Sequence, residues 1–115
     1  MNDRIVLTIP TAHGFRGVAS LVLGGVGSRV ALPYERMDDL QLAALSVIES
    51  ARDETVTVEI ETQDGELSVT IGPLVEGAGS DQALANVLGR LVGDSAETRR
   101  DGQAWLTLRV PSATA

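Results

Sequence analysis

Four places in this chain hold residue types that could do chemistry: His13, the pair Asp38 and Asp39, and two glycine-rich runs, Gly24-Gly25-Val26-Gly27-Ser28-Arg29 and Gly77-Ala78-Gly79. His13 is the only histidine and there is no cysteine, so a metal there would need carboxylates for the rest of its shell. It reads instead as a polar residue at a helix entrance, and nothing near it resembles a serine nucleophile elbow. Asp38 and Asp39 are adjacent, and adjacent side chains on a helix diverge by about 100°. They suit the positive first turn of a helix better than acid/base work. The first glycine run fails the dinucleotide template, whose third glycine would fall on Val30, and it lacks the lysine of a P-loop. Helix packing or a helix end explains it better. Gly77-Ala78-Gly79 could offer backbone amides to a phosphate, or serve only as a turn into a capped helix.

At 115 residues the chain is large enough for one core, so residues 1–115 are read as a single domain. Apolar residues make up 43%, which favours folding, and with one Phe, one Tyr and one Trp the interior must be aliphatic. The net charge of −7 argues against nucleic acid, since neutralising phosphates needs a basic face. All nine basic residues are arginine, which removes every mechanism that depends on lysine. The N-terminal residues lack a signal-peptide layout, and the longest apolar run, Gly17 to Gly27, is too short to span a bilayer. A soluble, cytoplasmic protein with no membrane partner is expected.

The elements that must position these residues follow from periodicity. Arg4 to Ile9 is β-branched and ends at Pro10, a strand. From Phe15, Val18, Leu21, Val22 and Val26 recur at helical spacing, which reads as a helix to about Arg29. Glycines 24, 25 and 27 weaken the end of that helix by roughly 1 kcal/mol each, and glycines so spaced let a neighbour approach. Pro33 fits the first turn of a second helix, with an apolar stripe of Met37, Leu40, Ala44, Val47, Ile48 and Ala51 flanked by Leu42 and Leu45. From Thr55 the period becomes two. Val56, Val58 and Ile60, then Leu67, Val69 and Ile71, should face the helices, with Thr57, Glu59, Glu61, Ser68 and Thr70 outward. Asp64-Gly65 is the expected hairpin turn and Gly72-Pro73 the expected strand end. Ser80 or Asp81 should cap a third helix with Leu84, Val87, Leu88, Leu91 and Val92 inward. A last hairpin, Ser95 to Arg99 and Ala104 to Val110, turns at Asp101-Gly102, and residues 111–115 read as a frayed tail. The order β-α-α-β-β-α-β-β gives an α/β two-layer sandwich: a mixed, mostly antiparallel sheet with helices on one face.

The stretch from Ile9 to Ala43, I-P-T-A-H-G-F-R-G-V-A-S-L-V-L-G-G-V-G-S-R-V-A-L-P-Y-E-R-M-D-D-L-Q-L-A, resembles the front half of the anti-sigma-factor serine kinases, small bacterial members of the GHKL nucleotide-binding superfamily. Element order extends the resemblance over nearly the whole chain, though beyond Arg52 individual residues match poorly. It implies a GHKL (Bergerat, histidine-kinase-type ATPase-like) fold. In that family a Glu and, four residues later, an Asn on the second helix serve as general base and Mg²⁺ ligand, and an Asp-x-Gly recognises adenine. On this chain those positions become Ser46, Ser50 and the region of Pro73. A serine hydroxyl is no general base at neutral pH and a poor substitute for an amide oxygen on Mg²⁺. Glu49 stands one position away from Ser50, on another side of the helix. Gly77 and Gly79 lie in a loop that is short for a nucleotide lid.

The resemblance thus implies a degenerate ATP site: no catalytic residue, no metal site, and no cofactor where the family uses ATP-Mg. It further implies a regulatory module binding a sigma factor or a STAS-type antagonist, with homodimerisation common in the family. Arg16, one turn before Ser20, is the expected partner-binding charge, Ser20 being the aligned position. The alternatives are an active serine kinase with divergent boxes, using Glu49 as base, or a non-catalytic heterodimer partner of such a kinase.

Overall fold

The structure is a computed structural model that describes residues 3–30, 32–63 and 66–111. Strand β1 spans Asp3–Pro10 and leads through a short 3-10 turn, His13–Phe15, into helix α1, Arg16–Arg29. Helix α2 spans Tyr34–Ile48, β2 Thr55–Gln63 and β3 Glu66–Leu74. A second 3-10 turn, Ala78–Ser80, precedes α3, Gln82–Leu91, and the chain ends with β4, Asp94–Arg100, and β5, Gln103–Pro111. The element order is the one read from the sequence.

The five strands form one sheet in the order β1-β2-β3-β5-β4, and every neighbouring pair is antiparallel. The expected mixed sheet is therefore corrected to a wholly antiparallel one. No crossover joins parallel neighbours: β1 reaches β2 through the α1–α2 pair, and β3 reaches the β4–β5 hairpin through α3. The inward face carries Val56, Val58, Ile60, Leu67, Val69, Ile71, Leu106 and Leu108, all buried as the alternation required. Against them pack Ala19, Leu23 and Val26 of α1, Leu40, Ala43, Ala44, Val47 and Ile48 of α2, and Leu84 and Leu88 of α3. Burial of so many aliphatic side chains, each worth about 1.5–3 kcal/mol, is what holds the two layers together.

The turn at Asp64-Gly65 lies outside the described residues, although β2 and β3 pair up to Gln63 with Glu66 on either side of it. The other hairpin is as expected: Asp101 and Gly102 both have positive φ, 51° and 77°, the requirement of a type I′ turn. Pro111, the first residue of the expected tail, instead ends β5 opposite Glu66, and residues 112–115 lie outside the described residues.

Several local expectations are corrected by packing. Helix α1 turns Ala19, Leu23, Val26 and Gly27 inward, leaves Val22 half-buried, and exposes Val18 and Leu21. Its sequence is apolar or glycine nearly all round, so hydrophobicity alone defined no face. The small residues decided it. A Cβ at Gly27 would overlap the Met37 thioether, and Gln41 Nε2 lies 3.2 Å from where one would stand at Gly24. Pro33 is the residue before α2 rather than within its first turn, with φ −57° and ψ 147°. Ala51 follows α2 and bridges to Leu74. Gly72-Pro73 does not stop β3: the register shifts there and Leu74 resumes pairing, with Ala104. Val87 is exposed on α3, and Val92 lies just beyond that helix.

Candidate functional site

Two surfaces follow from this frame: a groove between α2 and α3, and the sheet and helix faces that no element covers.

The groove has a volume of about 360 Å³ and is lined by Ser46, Glu49 and Ser50 of the α2 end and by Asp81, Ala83, Leu84 and Val87 of the α3 start. Ser46, on α2, and Ser50, two residues past its end, both line this groove. Glu49 also lines it. Ser46 Oγ donates to the Leu42 carbonyl at 2.9 Å, which ties the hydroxyl to its own helix. Asp81 caps α3, its Oδ1 accepting from Ala83 N–H at 2.9 Å and Leu84 N–H at 3.2 Å. That cap occupies amides that would otherwise receive an anion, and it sets a carboxylate where a phosphate would sit.

Pro73, Gly77 and Gly79 are not in this cavity's wall. Pro73 is half-buried in β3, and its carbonyl accepts from Arg52 N–H at 3.1 Å. Gly77 is left-handed, φ 84°, and starts the 3-10 turn in which Ser80 N–H donates to the Gly77 carbonyl at 2.9 Å. The Glu97 carboxylate packs on Gly79 so closely that a Cβ there would overlap it. A carboxylate against this glycine run opposes its use as a phosphate cradle. Among the described residues no three His, Cys, Asp or Glu side chains are grouped to hold a metal ion. His13 is exposed.

Arg16 is not the exposed charge the sequence suggested. Its side chain is 25% exposed, Nη1 lies 3.6 Å from Glu49 Oε1, and Nε is buried without a hydrogen-bond partner. It joins the start of α1 to the end of α2. Ser20 is half-buried, and its carbonyl accepts from Gln41 Nε2 at 2.8 Å, another α1–α2 tie. The next residues of both helices, Leu21 on α1 and Leu42 on α2, are 78% and 50% exposed.

On the open sheet face, sequence reasoning missed a cluster. Glu59, expected outward, does point away from the helices, yet its side chain is only 10% exposed. Arg100 covers it, donating from Nη1 at 2.7 Å and Nη2 at 2.9 Å, and Arg4 Nη2 lies 3.6 Å away. The Arg100 guanidinium lies over the Trp105 ring, 4.5 Å from its centroid, and the ring in turn lies over Gly72. The Arg100 hydrogen bonds, with the Arg100 and Arg4 charges behind them, hold the Glu59 carboxyl below its ordinary value of 4.5 against the opposing effect of burial. The one signal in the sequence was Trp105, the single tryptophan, standing at an outward position in a strand. Hydroxyl pairs, Thr8 with Thr57 and Thr70 with Thr107, each at 2.9 Å, fill much of the rest of that face.

No protein-family model matches this chain, and no curated protein matches it. No helix among the described residues is long and apolar enough to cross a membrane.

Proposed function

We propose that this chain is a cytoplasmic regulatory module of GHKL-like fold and anti-sigma-factor type, which binds a partner protein and does not turn over ATP. The observation that carries the reading is the exposure of two large apolar side chains, Leu21 on α1 and Leu42 on α2, helices that the Gln41–Ser20 contact ties together. Exposed large apolar side chains grouped on adjacent elements mark interaction surfaces more often than isolated ones do. The partner is a sigma factor or a STAS-type antagonist, by the resemblance of Ile9 to Ala43. The order of the elements and the helices stacked on one face of the sheet support the fold assignment. Loss of turnover is supported by the α2–α3 groove, where Ser46 bonds its own helix and Asp81 fills the α3 N-terminus.

Partner binding is tested by Leu21→Glu and Leu42→Glu against the sigma factors and STAS proteins of the native host. Each should weaken binding by about 1–3 kcal/mol, the cost of truncating or charging an interface anchor. Secondary structure and thermal midpoint should barely change, because both side chains lie on the surface. Full affinity in both variants would remove the surface from consideration.

Glu49 lines the groove beside both serines, and this observation favours a second reading, an active kinase with Glu49 as base. Titration with ATP-Mg²⁺ separates the two. Loss of two charge-assisted contacts of about 1.5–3 kcal/mol each lowers affinity by two decades or more. A dissociation constant below about 10 μM, with phosphate transfer that Glu49→Gln abolishes, would establish the kinase reading instead.

A further inference from the structure

The groove between α2 and α3, about 360 Å³ in volume, is of the size that small ligands occupy. Its polar wall is Ser46, Glu49, Ser50 and Asp81, and no basic side chain stands among its lining residues. Nearly every polar group it offers is an acceptor. A carboxylate only accepts hydrogen bonds. Asp81 Oδ1 holds the Ala83 and Leu84 amides, and among the described residues nothing pairs with Oδ2. Glu49 has Arg16 on its α1 side, but at 3.6 Å, too far for a hydrogen bond, so its oxygens keep their acceptor capacity. Ser46 Oγ gives its one proton to the Leu42 carbonyl and therefore meets a ligand with lone pairs.

The donors of the wall are engaged in the same way. The amides of Glu49, Ser50 and Asp81 donate to the carbonyls of Leu45, Val47 and Ala78, and those of Ala83 and Leu84 to the Asp81 cap. Beside these acceptors α3 supplies an apolar strip, with Leu84 buried and Val87 39% exposed. A chemical group that matches both surfaces has an aliphatic stem and a head that only donates. An anion finds two carboxylates and no free amide. The net charge of −7 adds a field that draws cations and repels anions.

We propose that the α2–α3 groove is a binding site for an organic cation, an alkylguanidinium or alkylammonium group. Its head is held by Glu49 and Asp81, with Ser46 accepting as well, and its stem lies on Leu84 and Val87. A guanidinium fits better than an ammonium, because its five donors fan out in one plane toward acceptors on two walls. The site goes beyond the partner-binding reading, which rests on Leu21 and Leu42, and its failure would leave that reading as it stands.

The test is a titration of the whole ¹⁵N-labelled chain with butylguanidinium, followed by NMR at the amides of residues 46–50 and 81–87. Saturable shifts should appear there with a dissociation constant of roughly 0.1–10 mM, since ion pairs open to water are weak, and should fade as salt rises. Asp81→Asn keeps the helix cap, because asparagine caps as well as aspartate, and should weaken binding about threefold. Glu49→Gln should weaken it by about the same factor. Butanol and butyrate share the stem without the positive head and should bind about tenfold less tightly. A blocked tripeptide with a central arginine separates the two sources of such a group. Tighter binding than butylguanidinium assigns the groove to an arginine of a polypeptide, and equal or weaker binding assigns it to a free cation. Butanol binding as tightly as butylguanidinium, both variants binding like the wild type, or unmoved groove amides throughout the titration would each overturn the proposal.

Discussion

Arg16 sits where the start of α1 meets the end of α2, and its role changes once its neighbours are known. As the charge one turn before Ser20 on an apolar, glycine-rich helix it suggested a contact for a partner. With one quarter of its side chain exposed and Glu49 at 3.6 Å, it stitches the helical layer instead. Arg16→Glu would set two carboxylates together and should lower stability by about 1–2 kcal/mol, seen as a fall in the thermal midpoint. Arg16→Met keeps the packed stem and should lose less. Equal midpoints for wild type and Arg16→Glu would show that the pair contributes nothing. Glu59 gives a pH signature. Its folded pKa is depressed by Arg100, so its contribution is fully present above the ordinary value of 4.5 and is lost as pH falls through the lower folded value. Glu59→Gln should cost about 1–2 kcal/mol at neutral pH and flatten that part of the acid limb. Urea titrations at pH 7 and pH 3 measure both, and parallel losses at the two pH values would remove the linkage.

At the scale of elements, two glycines permit contacts of different stiffness. Gly72 lies under the Trp105 indole, a rigid ring that is itself covered by Arg100. Gly27 lies against the end of the Met37 side chain, which can swing aside. Gly72→Ala should therefore cost about 2–3 kcal/mol through overpacking and shift the Trp105 fluorescence. Gly27→Ala should stay within about 1 kcal/mol of the wild type, because the gain in helix propensity offsets the displaced thioether. Denaturant midpoints of the two variants check the order; a reversed order would mean that the ring, not the thioether, yields. Helix α3 depends more on its cap. Asp81→Ala leaves the Ala83 and Leu84 amides unpaired and should cost about 1 kcal/mol.

For the whole molecule, stability should be graded across the sheet. β3 has a paired strand on each side and inward residues that are fully buried, whereas the residues of β4 are nearly all exposed. Amides of β2, β3 and β5 should exchange slowest and report global unfolding, while those of β4 open locally with α3. Hydrogen exchange by residue checks this, and uniform protection over all five strands would contradict it.

Periodicity by itself determined the elements of this protein, because each alternation is local: Val56 to Ile60 and Leu67 to Ile71 have one face to bury whatever lies above it. The Asp101-Gly102 turn and the α3 cap were legible for the same reason, since a few adjacent residues settle their chemistry. Strand direction was not. Whether the sheet was mixed or antiparallel depended on how the α1–α2 pair and α3 return the chain, which no local pattern records. The inward face of α1 was also beyond the sequence, because a helix apolar nearly all round has no preferred side until Met37 and Gln41 fit against its glycines. Glu59 read as an outward charge and is one, but only the fold brings Arg100, three strands away in the sheet, across Trp105 to cover it. The serines at 46 and 50 are close in the chain, and both line one groove although α2 ends between them. That Asp81 closes the other side of their groove was decided by the packing of α3 on α2, an encounter between segments more than 30 residues apart in the chain.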